Sequence, residues 1–298
     1  GWGGMGLYLA MVAGADVTGV TLAKEQLRVA RQRAEAAGLA DRAKFMLKDY
    51  RKVEGSFDRV VSVGMFEHVG PQHFDEYFRT IRKLLTDDGV AVIHSITRAK
   101  PNRADPPFVE KYIFPNGHIP ALSEALPAIE RAGLLVKDVE ILTMHYADTL
   151  RDWRLRFRAN RAEAVALYDE TFFRMWDLYL AGAEVSFRYG KLANFQIQLM
   201  RHNPDGPRNR NYISEVEKVL AALERGLGGE RRARLIRLSA QPLGTVEASG
   251  CNPTQILRST LRTSPLSSRS SIDGFAMPSS TSRMSIYWGV CYYGPCCA

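Results

Sequence analysis

The order of patterns along the first two hundred residues predicts an α/β fold, a doubly wound parallel sheet with helices on both faces. Three observations carry that expectation. Helical and strand periodicities alternate. A glycine turn, Gly1, Gly3 and Gly6 in GWGGMG, stands directly ahead of a helical pattern. The stretch VSVGMFEHVG (61–70) is an apolar run that ends in an acid and an imidazole. Packing alone does not account for such an ending. In an open α/β sheet ligands bind outside the carboxyl ends of the strands, so Glu67 and His68 are expected at a ligand site.

The elements follow in order. GMGLYLAMVAG (4–14) reads as a helix, ADVTGVTLA (15–23) as a strand and KEQLRVARQRAEAAGL (24–39) as an amphipathic helix. AKFMLKDY (43–50) and FDRVVSVGMFEH (57–68) are predicted strands, followed by a helix over HFDEYFRTIRKLL (73–85) and a strand over GVAVIHSITR (89–98). Between Lys100 and Pro120 the periodicity breaks, with five prolines, Pro101, Pro106, Pro107, Pro115 and Pro120, marking a long loop or cap of the kind that carries function. LPAIERAGLLVKDVEIL (126–142) gives one more helix and strand, Thr149 to about Arg188 gives long helices rich in Arg and aromatics, and NFQIQLMRHN (194–203) gives a closing strand.

The organisation expected is therefore a core over 1–205, a helical extension over 206–248 that includes SEVEKVLAALERGL, and a tail over 249–298 without period, read as disordered. The first strand that a doubly wound domain places before its glycine turn is missing, because residue 1 already belongs to the turn. Its absence is expected to expose the edges of the neighbouring strands.

Composition bounds the function. With 298 residues, 46% hydrophobic content and a net charge of +8, the chain can bury a sizeable core and favours anionic partners. No apolar run approaches the roughly 20 residues of a membrane span, and no secretory leader is seen, so the default compartment is cytoplasmic. All four cysteines, Cys251, Cys291, Cys296 and Cys297, fall in the last fifth, which leaves the core without a disulfide or a thiolate metal site. No metal is expected.

A glycine turn before a helix brings backbone N–H groups to an anionic ligand. A nicotinamide dinucleotide would require an acid at the end of the second strand, where this chain has Thr21 and Leu22. The next strand ends in Lys48, Asp49 and Tyr50. There a carboxylate and an aromatic face suit an adenine amino group and ring, or form an ordinary polar strand end.

GWGG, GVTLAKEQ, KDYR, FDRVVSVGMFEHVG, VIHSI, KYIFPNGHIP and HYADTL together resemble the cyclopropane-fatty-acyl-phospholipid synthase and mycolic acid cyclopropane synthase family of S-adenosylmethionine-dependent methyltransferases. MFEHVG and YIFPNGHIP are the most specific parts, and the resemblance covers about residues 1–203. It implies a Rossmann-like class I methyltransferase sheet with a helical cap. It further implies methyl transfer from S-adenosylmethionine to the cis double bond of an acyl chain in an unsaturated phospholipid, at a membrane surface. The carbocation formed loses a proton from the added methyl to bound bicarbonate, and the ring closes. By the same resemblance Glu67, His94 and Tyr146, with the backbone of Ile96, hold the bicarbonate. Gly1 and Gly3 meet the methionine moiety of the cofactor, Thr21 and Gln26 its ribose, and Tyr50, with Asp49 beside it, its adenine.

The residue types suit that chemistry without the family. An alkene is a poor nucleophile, so the site must align the methyl closely, exclude water and place fixed negative charge beside the cation. A carboxylate, an imidazole and a phenol can anchor a small oxyanion. Glu67 otherwise reads as a cap for the helix that follows, His94 as a core histidine in GVAVIHSI, and Tyr146 as an aromatic of the core. His68 and His145 flank the proposed ligands and serve either them or the packing.

RDWRLRFRANRAEAV (151–165) interleaves Arg151, Arg154, Arg156, Arg158 and Arg161 with Trp153, Leu155 and Phe157. The pattern suits a helix against anionic headgroups or a solvated face over the core. No nucleic-acid motif accompanies it, and the expected partners are a phospholipid surface and, for the chain itself, a homodimer. The chain departs from the family in lacking the upstream strand and a helical segment that carries a cysteine. It also has Ala183 where a late helix of the family has a cysteine, and Tyr50 where the mycolic-acid branch has a tryptophan. Glu184 is either a site-lining acid or a helix surface residue. An N-terminally incomplete enzyme is therefore expected. The alternatives are an inactive membrane-surface remnant and a family member making a methyl-branched fatty acid.

Overall fold

The computed structural model describes residues 1–101, 106–202, 209–226 and the backbone of 283–288. Helix α1 (Gly4–Val12) leads into β1 (Asp16–Thr21), α2 (Lys24–Ala36), β2 (Ala43–Leu47) and β3 (Phe57–Val63). Then come α3 (Phe74–Leu84), β4 (Leu85–Arg98), α4 (Pro107–Tyr112), α5 (Leu122–Arg131) and β5 (Leu135–Leu142). Helices α6 (His145–Ala159), α7 (Arg161–Leu167) and α8 (Glu170–Arg188) precede β6 (Leu192–Met200), and α9 (Asn211–Gly226) and β7 (Arg283–Trp288) complete the set.

The seven strands form one sheet in the order β2-β1-β7-β3-β4-β6-β5. Strand β3 in its interior is largely apolar on both faces, as a strand covered by helices on two sides is expected to be. In β3, Val60 and Val61 are 0% and 3% exposed and Ser62 is fully buried. Helix α3 repeats Phe74, Tyr77, Phe78, Ile81 and Leu84 at helical spacing and buries all five against β3, β4 and α5. Burying a side chain of that size is worth about 1.5–3 kcal/mol, so this face accounts for much of the core. A second cluster joins α1 and α2 to β1 through Leu7, Ala10, Val17 and Ala34. A third is built from α4 and α6–α8 around Trp176, Leu180 and Phe157, with Ile96 of β4 packed against it, and forms a helical cap over one face of the sheet.

Several expectations change. The sheet is mixed, because β6 runs antiparallel to both β4 and β5. Periodicity marks a strand but carries no direction. The strand expected through His68 stops at Val63, where Gly64 takes a left-handed φ of 61° that ends extended structure. The strand expected through Tyr50 stops at Leu47, and Asp49 caps a short turn instead. The proline-rich stretch contains α4, with Pro107 at the first helical position, where its missing N–H costs nothing.

The position beside β1 expected to be empty is held by β7. This strand pairs in parallel with β1, Asp16 opposite Arg283, and with β3, Arg59 opposite Met284. Of the tail expected to be disordered, these six residues form an interior strand, because the open edges of β1 and β3 supply backbone partners on both sides. The other residues of 249–298 lie outside the described residues, as do all four cysteines. Within the expected extension, α9 is formed and seated by Arg210 on Asp138 (2.8 Å) and by Tyr212 Oη on the Gln198 amide (3.1 Å), while residues 227–248 lie outside the described residues. Among the described residues no helix is long and apolar enough to cross a membrane.

Candidate active site

Strands β1, β2, β3 and β4 run parallel, so their carboxyl ends share one edge of the sheet. Thr21, Asp49, Tyr50 and Glu67 all lie in or directly after those ends.

The loop after β3 is shaped by two constraints. Gly64 N–H donates to the His94 carbonyl at 3.0 Å, and Phe66 is driven into the core, where its ring stacks on Phe74 at 4.3 Å. A three-residue turn, Phe66–His68, follows and carries Glu67 inward. Glu67 is only 9% exposed. Its Oε1 accepts the Ile96 N–H at 2.8 Å, and its own carbonyl accepts the His118 N–H at 2.8 Å. Oε2 is buried with no hydrogen-bond partner among the described residues. Burial pushes the carboxyl pKa up, and the bonds from Ile96 and Ser95 pull it partly back. A buried carboxyl oxygen without a partner is costly unless a ligand satisfies it.

His94 faces the cap from β4, opposite Gln196 of β6, with Asn194 opposite Ile96. Its Nδ1 lies 3.3 Å from Gln196 Nε2 and its Nε2 lies 3.4 Å from Asn194 Nδ2. Burial lowers the imidazole pKa to about 4, so the ring is neutral near pH 7. Asn194 and Gln196 were not singled out from the sequence. The signal was present in NFQIQLM, where Asn194, Gln196 and Gln198 alternate with the fully buried Phe195, Ile197 and Leu199. An alternation of amides on a strand covered by helices marks a polar interior face.

Tyr146 lies in the first turn of α6, its ring edge-on to Phe187 at 4.9 Å and to Trp153 at 5.9 Å, in the cap cluster that also contacts Ile96. The PNGHIP loop closes this side. Asn116 adopts a left-handed φ of 59°, His118 Nε2 sits 3.1 Å from Glu124 Oε1, and Phe114 packs 5.9 Å from the His68 ring. Burial lowers the His68 pKa. Ala183 packs against the cap cluster, and Glu184, its side chain 19% exposed, is bound to Arg188 at 3.1 Å.

At the glycine turn, Gly1, Gly3, Gly6, Gly19, Thr21 and Phe45 line an open crevice. Gly3 has a φ of 85°, and an added Cβ there would meet Ala30 Cβ at 2.9 Å. Thr21 Oγ1 donates to Gln26 Oε1 at 2.7 Å and accepts the Ala23 N–H at 3.1 Å, so the two residues expected on the ribose side are in direct contact. On the neighbouring strand end Asp49 is paired with Arg51 at 2.6 Å, which holds its carboxyl below the usual range. An adenine amino group would share that carboxylate with the guanidinium. Tyr50 lies edge-on to Tyr77 at 5.6 Å, its phenol pushed up to about 12 by burial.

Four of the five arginines of the stripe are bound to the protein's own acids, Arg156 being the exception, its Nε buried with no hydrogen-bond partner among the described residues. Arg154 is bidentate on Asp177 (2.9 and 3.1 Å), Arg158 approaches the same carboxylate at 3.9 Å, Arg161 pairs with Glu170 at 2.6 Å and Arg151 with Asp152 at 3.1 Å. Among the described residues no group of three or more His, Cys, Asp and Glu is placed to hold a metal ion.

The family described as mycolic acid cyclopropane synthetase matches residues 1–197. A probable fatty acid methyltransferase of Pseudomonas putida is 40% identical over 213 residues, 69% of this chain and 54% of that protein. Cyclopropane-fatty-acyl-phospholipid synthase of Escherichia coli (strain K12) is 35% identical over 208 residues, 70% of this chain and 53% of that protein. The chain thus spans about half the length of these curated relatives. Among solved structures, mycolic acid cyclopropane synthase CmaA1 in complex with SAH and CTAB superposes with a TM-score of 0.63 at 29% identity, covering 67% of this chain and 74% of that one. Its fold, its buried Glu67 at a strand end and its match over two thirds of its length place the chain in the mycolic acid cyclopropane synthetase family.

Proposed function

We propose that the chain carries the catalytic core of an S-adenosylmethionine-dependent C-methyltransferase acting on the cis double bond of an unsaturated phospholipid acyl chain, with a cyclopropane ring as product. The observation that carries this reading is Glu67: buried, fixed on one oxygen by the Ile96 N–H, and with its second oxygen unmet. A carboxyl group held this way is suited to a small oxyanion that brings its own proton. Bicarbonate fits, since its O–H can be donated to Oε2.

In the reaction proposed, the methyl carbon bonds to one alkene carbon as its bond to sulfur breaks, leaving the positive charge on the other alkene carbon. Glu67, with His94 and Tyr146, would hold a bicarbonate that could supply the base for a proton of the added methyl, whose released electron pair would close the ring. The protein's own groups hold and shield. Gly1, Gly3, Thr21 and Gln26 are proposed to seat the methyl donor, with Asp49 and Tyr50 at its adenine. Glu67, Ile96 N–H, His94 and Tyr146 orient the base, and the cap of α4 and α6–α8 excludes water from the cation. Neutral His94 adds no positive charge beside that cation.

The test is incubation with S-adenosylmethionine labelled in its methyl group and vesicles of unsaturated phospholipid. Label in the lipid supports the reading, and label only in a water-soluble acceptor overturns it. A methyl-branched product is the second reading, favoured by the similarity to a probable fatty acid methyltransferase. The same cation yields it, as an unsaturated methyl-branched chain, by a hydride shift and loss of a proton that leaves a double bond, and hydrogenation followed by mass spectrometry of the lipid separates the two. Action at a cytoplasmic membrane surface belongs to the proposal as well.

A further inference from the structure

Glu67 is held at two points, one on its side chain and one on its backbone. The Ile96 N–H fixes Oε1 at 2.8 Å, and the His118 N–H, from the loop before α5, reaches the Glu67 carbonyl at 2.8 Å. The direction of Oε2 therefore depends on where that loop puts its N–H. A shift of the loop moves the carbonyl, and the carboxyl group turns with it.

The loop is tied down at three places. Asn116, with its left-handed φ, turns the chain, and the Gly117 N–H closes the turn on the Phe114 carbonyl at 3.1 Å. At the far end the Pro120 carbonyl accepts the Arg98 N–H at 3.1 Å and the Thr97 hydroxyl at 2.8 Å, which fastens it to β4 beside Ile96. Between these lie Gly117, His118 and Ile119, and of the three only His118 has a polar side chain. Its Nε2 sits 3.1 Å from Glu124 Oε1, and facing a carboxylate that nitrogen donates. Glu124 Oε2 accepts the Ala121 N–H at 2.7 Å, so one carboxylate caps α5 and holds the ring. The His118 ring also lies 6.2 Å from that of Phe74, on which Phe66 stacks immediately before Glu67.

We infer that His118 is a positioning residue for Glu67, with Glu124 as its anchor: their bond fixes the loop whose N–H sets the Glu67 carbonyl, and so aims Oε2. The consequence for the reaction rests on the function proposed above, in which Oε2 meets the base. Loosening the loop leaves the methyl donor and the acyl chain bound and misplaces the group that holds the base. The expected cost is about 10- to 100-fold in kcat, with KM for the lipid little changed.

The test uses the full chain, labelled with 15N, and amide hydrogen exchange read residue by residue. His118→Leu removes the side-chain donor and keeps the bulk, whereas His118→Gln keeps an N–H at similar reach. The result expected in His118→Leu is exchange about tenfold faster at positions 96 and 118, with Ile93 and Ile197 in the sheet interior unchanged. His118→Gln restores both the slow exchange and most of kcat. Unchanged exchange at position 96 in folded His118→Leu overturns the inference, as does equal acceleration at all four positions, which is general loosening. An unprotected His118 amide in the unsubstituted protein overturns it without any variant. No turnover enters the exchange measurement, so failure of labelled methyl transfer would overturn the proposed function and leave the positioning standing, while an unchanged kcat in His118→Leu overturns the positioning alone.

Discussion

The Ile96 N–H donates to Glu67 Oε1 at 2.8 Å, joining the middle of a sheet strand to the turn after its neighbour. The bond orients the carboxyl group and leaves Oε2 unmet. Replacing the acid by its amide keeps the shape and the bond while removing the charge. Burial raises the Glu67 pKa, so its ionised form weighs against folding. Its contribution to stability is full below the ordinary value of 4.5 and is lost as pH rises through the higher folded value. Glu67→Gln is therefore expected to melt higher than the unsubstituted protein at pH 8, to lose that advantage by pH 4, and to abolish methyl transfer. Thermal melts at the two pH values and the labelled-lipid assay check this.

His94 has the opposite dependence. Its pKa falls from 6.5 to about 4, so the unfolded chain binds a proton that the folded one refuses between those values. Stability from this group is complete above about pH 6.5 and declines as pH falls toward 4, by a total on the order of 3 kcal/mol. Glu67 opposes it from pH 4.5 upward, and His68, lowered by burial, adds to it. Urea unfolding of His94→Gln and of the unsubstituted protein across pH 4–7 should show a shallower pH dependence in the variant.

Phe45 of β2 lies over Gly19 of β1, where an added Cβ would come within 2.6 Å of the ring. Gly19→Ala is expected to destabilise by about 1–3 kcal/mol through overpacking. Phe45→Leu in the same chain should recover part of that loss. A double-mutant cycle by denaturant unfolding measures the coupling, and strict additivity would refute the contact.

On the cap, Asp177 holds Arg154 at 2.9 Å and lies 3.9 Å from Arg158. Asp177→Asn releases both guanidinium groups. Binding to vesicles of anionic phospholipid should strengthen and become more sensitive to salt, as co-sedimentation would show. Unchanged binding would place the lipid-facing surface elsewhere.

Ending the chain after Gly226 removes β7. The pairings of β1 and of β3 with that strand then vanish together, dividing the sheet into β2-β1 and β3-β4-β6-β5. Two open edges in the interior of an α/β sheet are an aggregation surface. The shortened chain is expected to be less soluble and to lose cooperative melting, by light scattering and circular dichroism.

Much of this was legible in the sequence where the determinants are local. The amphipathic face of α3, the apolar strand β3 and the placing of Glu67 beyond its end follow from patterns a few residues long, whereas the turn that carries Glu67 inward reads as more strand. Direction and partnership are non-local. Nothing in LANFQIQLM tells that β6 runs against β4, and nothing in RMSIYW names β1 and β3 as its neighbours. The arginine stripe was legible as charge. Its neutralisation was not, because Asp177 and Glu170 come from another helix. The alternation of Asn194, Gln196 and Gln198 marks a polar face of β6, but only the register with β4 shows that His94 lies opposite it.

The pairing of Asp16 with Arg283 also sets an order of events. Bringing these residues together closes a loop of most of the chain, the kind of contact that forms last and slowly. During synthesis the carboxyl ends of β1 and β3, which carry Thr21 and lead to Glu67, emerge long before the strand that joins them. The two halves of the candidate site can therefore fold early and separately, and their alignment waits for the arrival of six late residues. Assembly of the site is then limited by chain closure, and its refolding rate should depend on the length of residues 227–282 while the rate of forming α3 and its core does not.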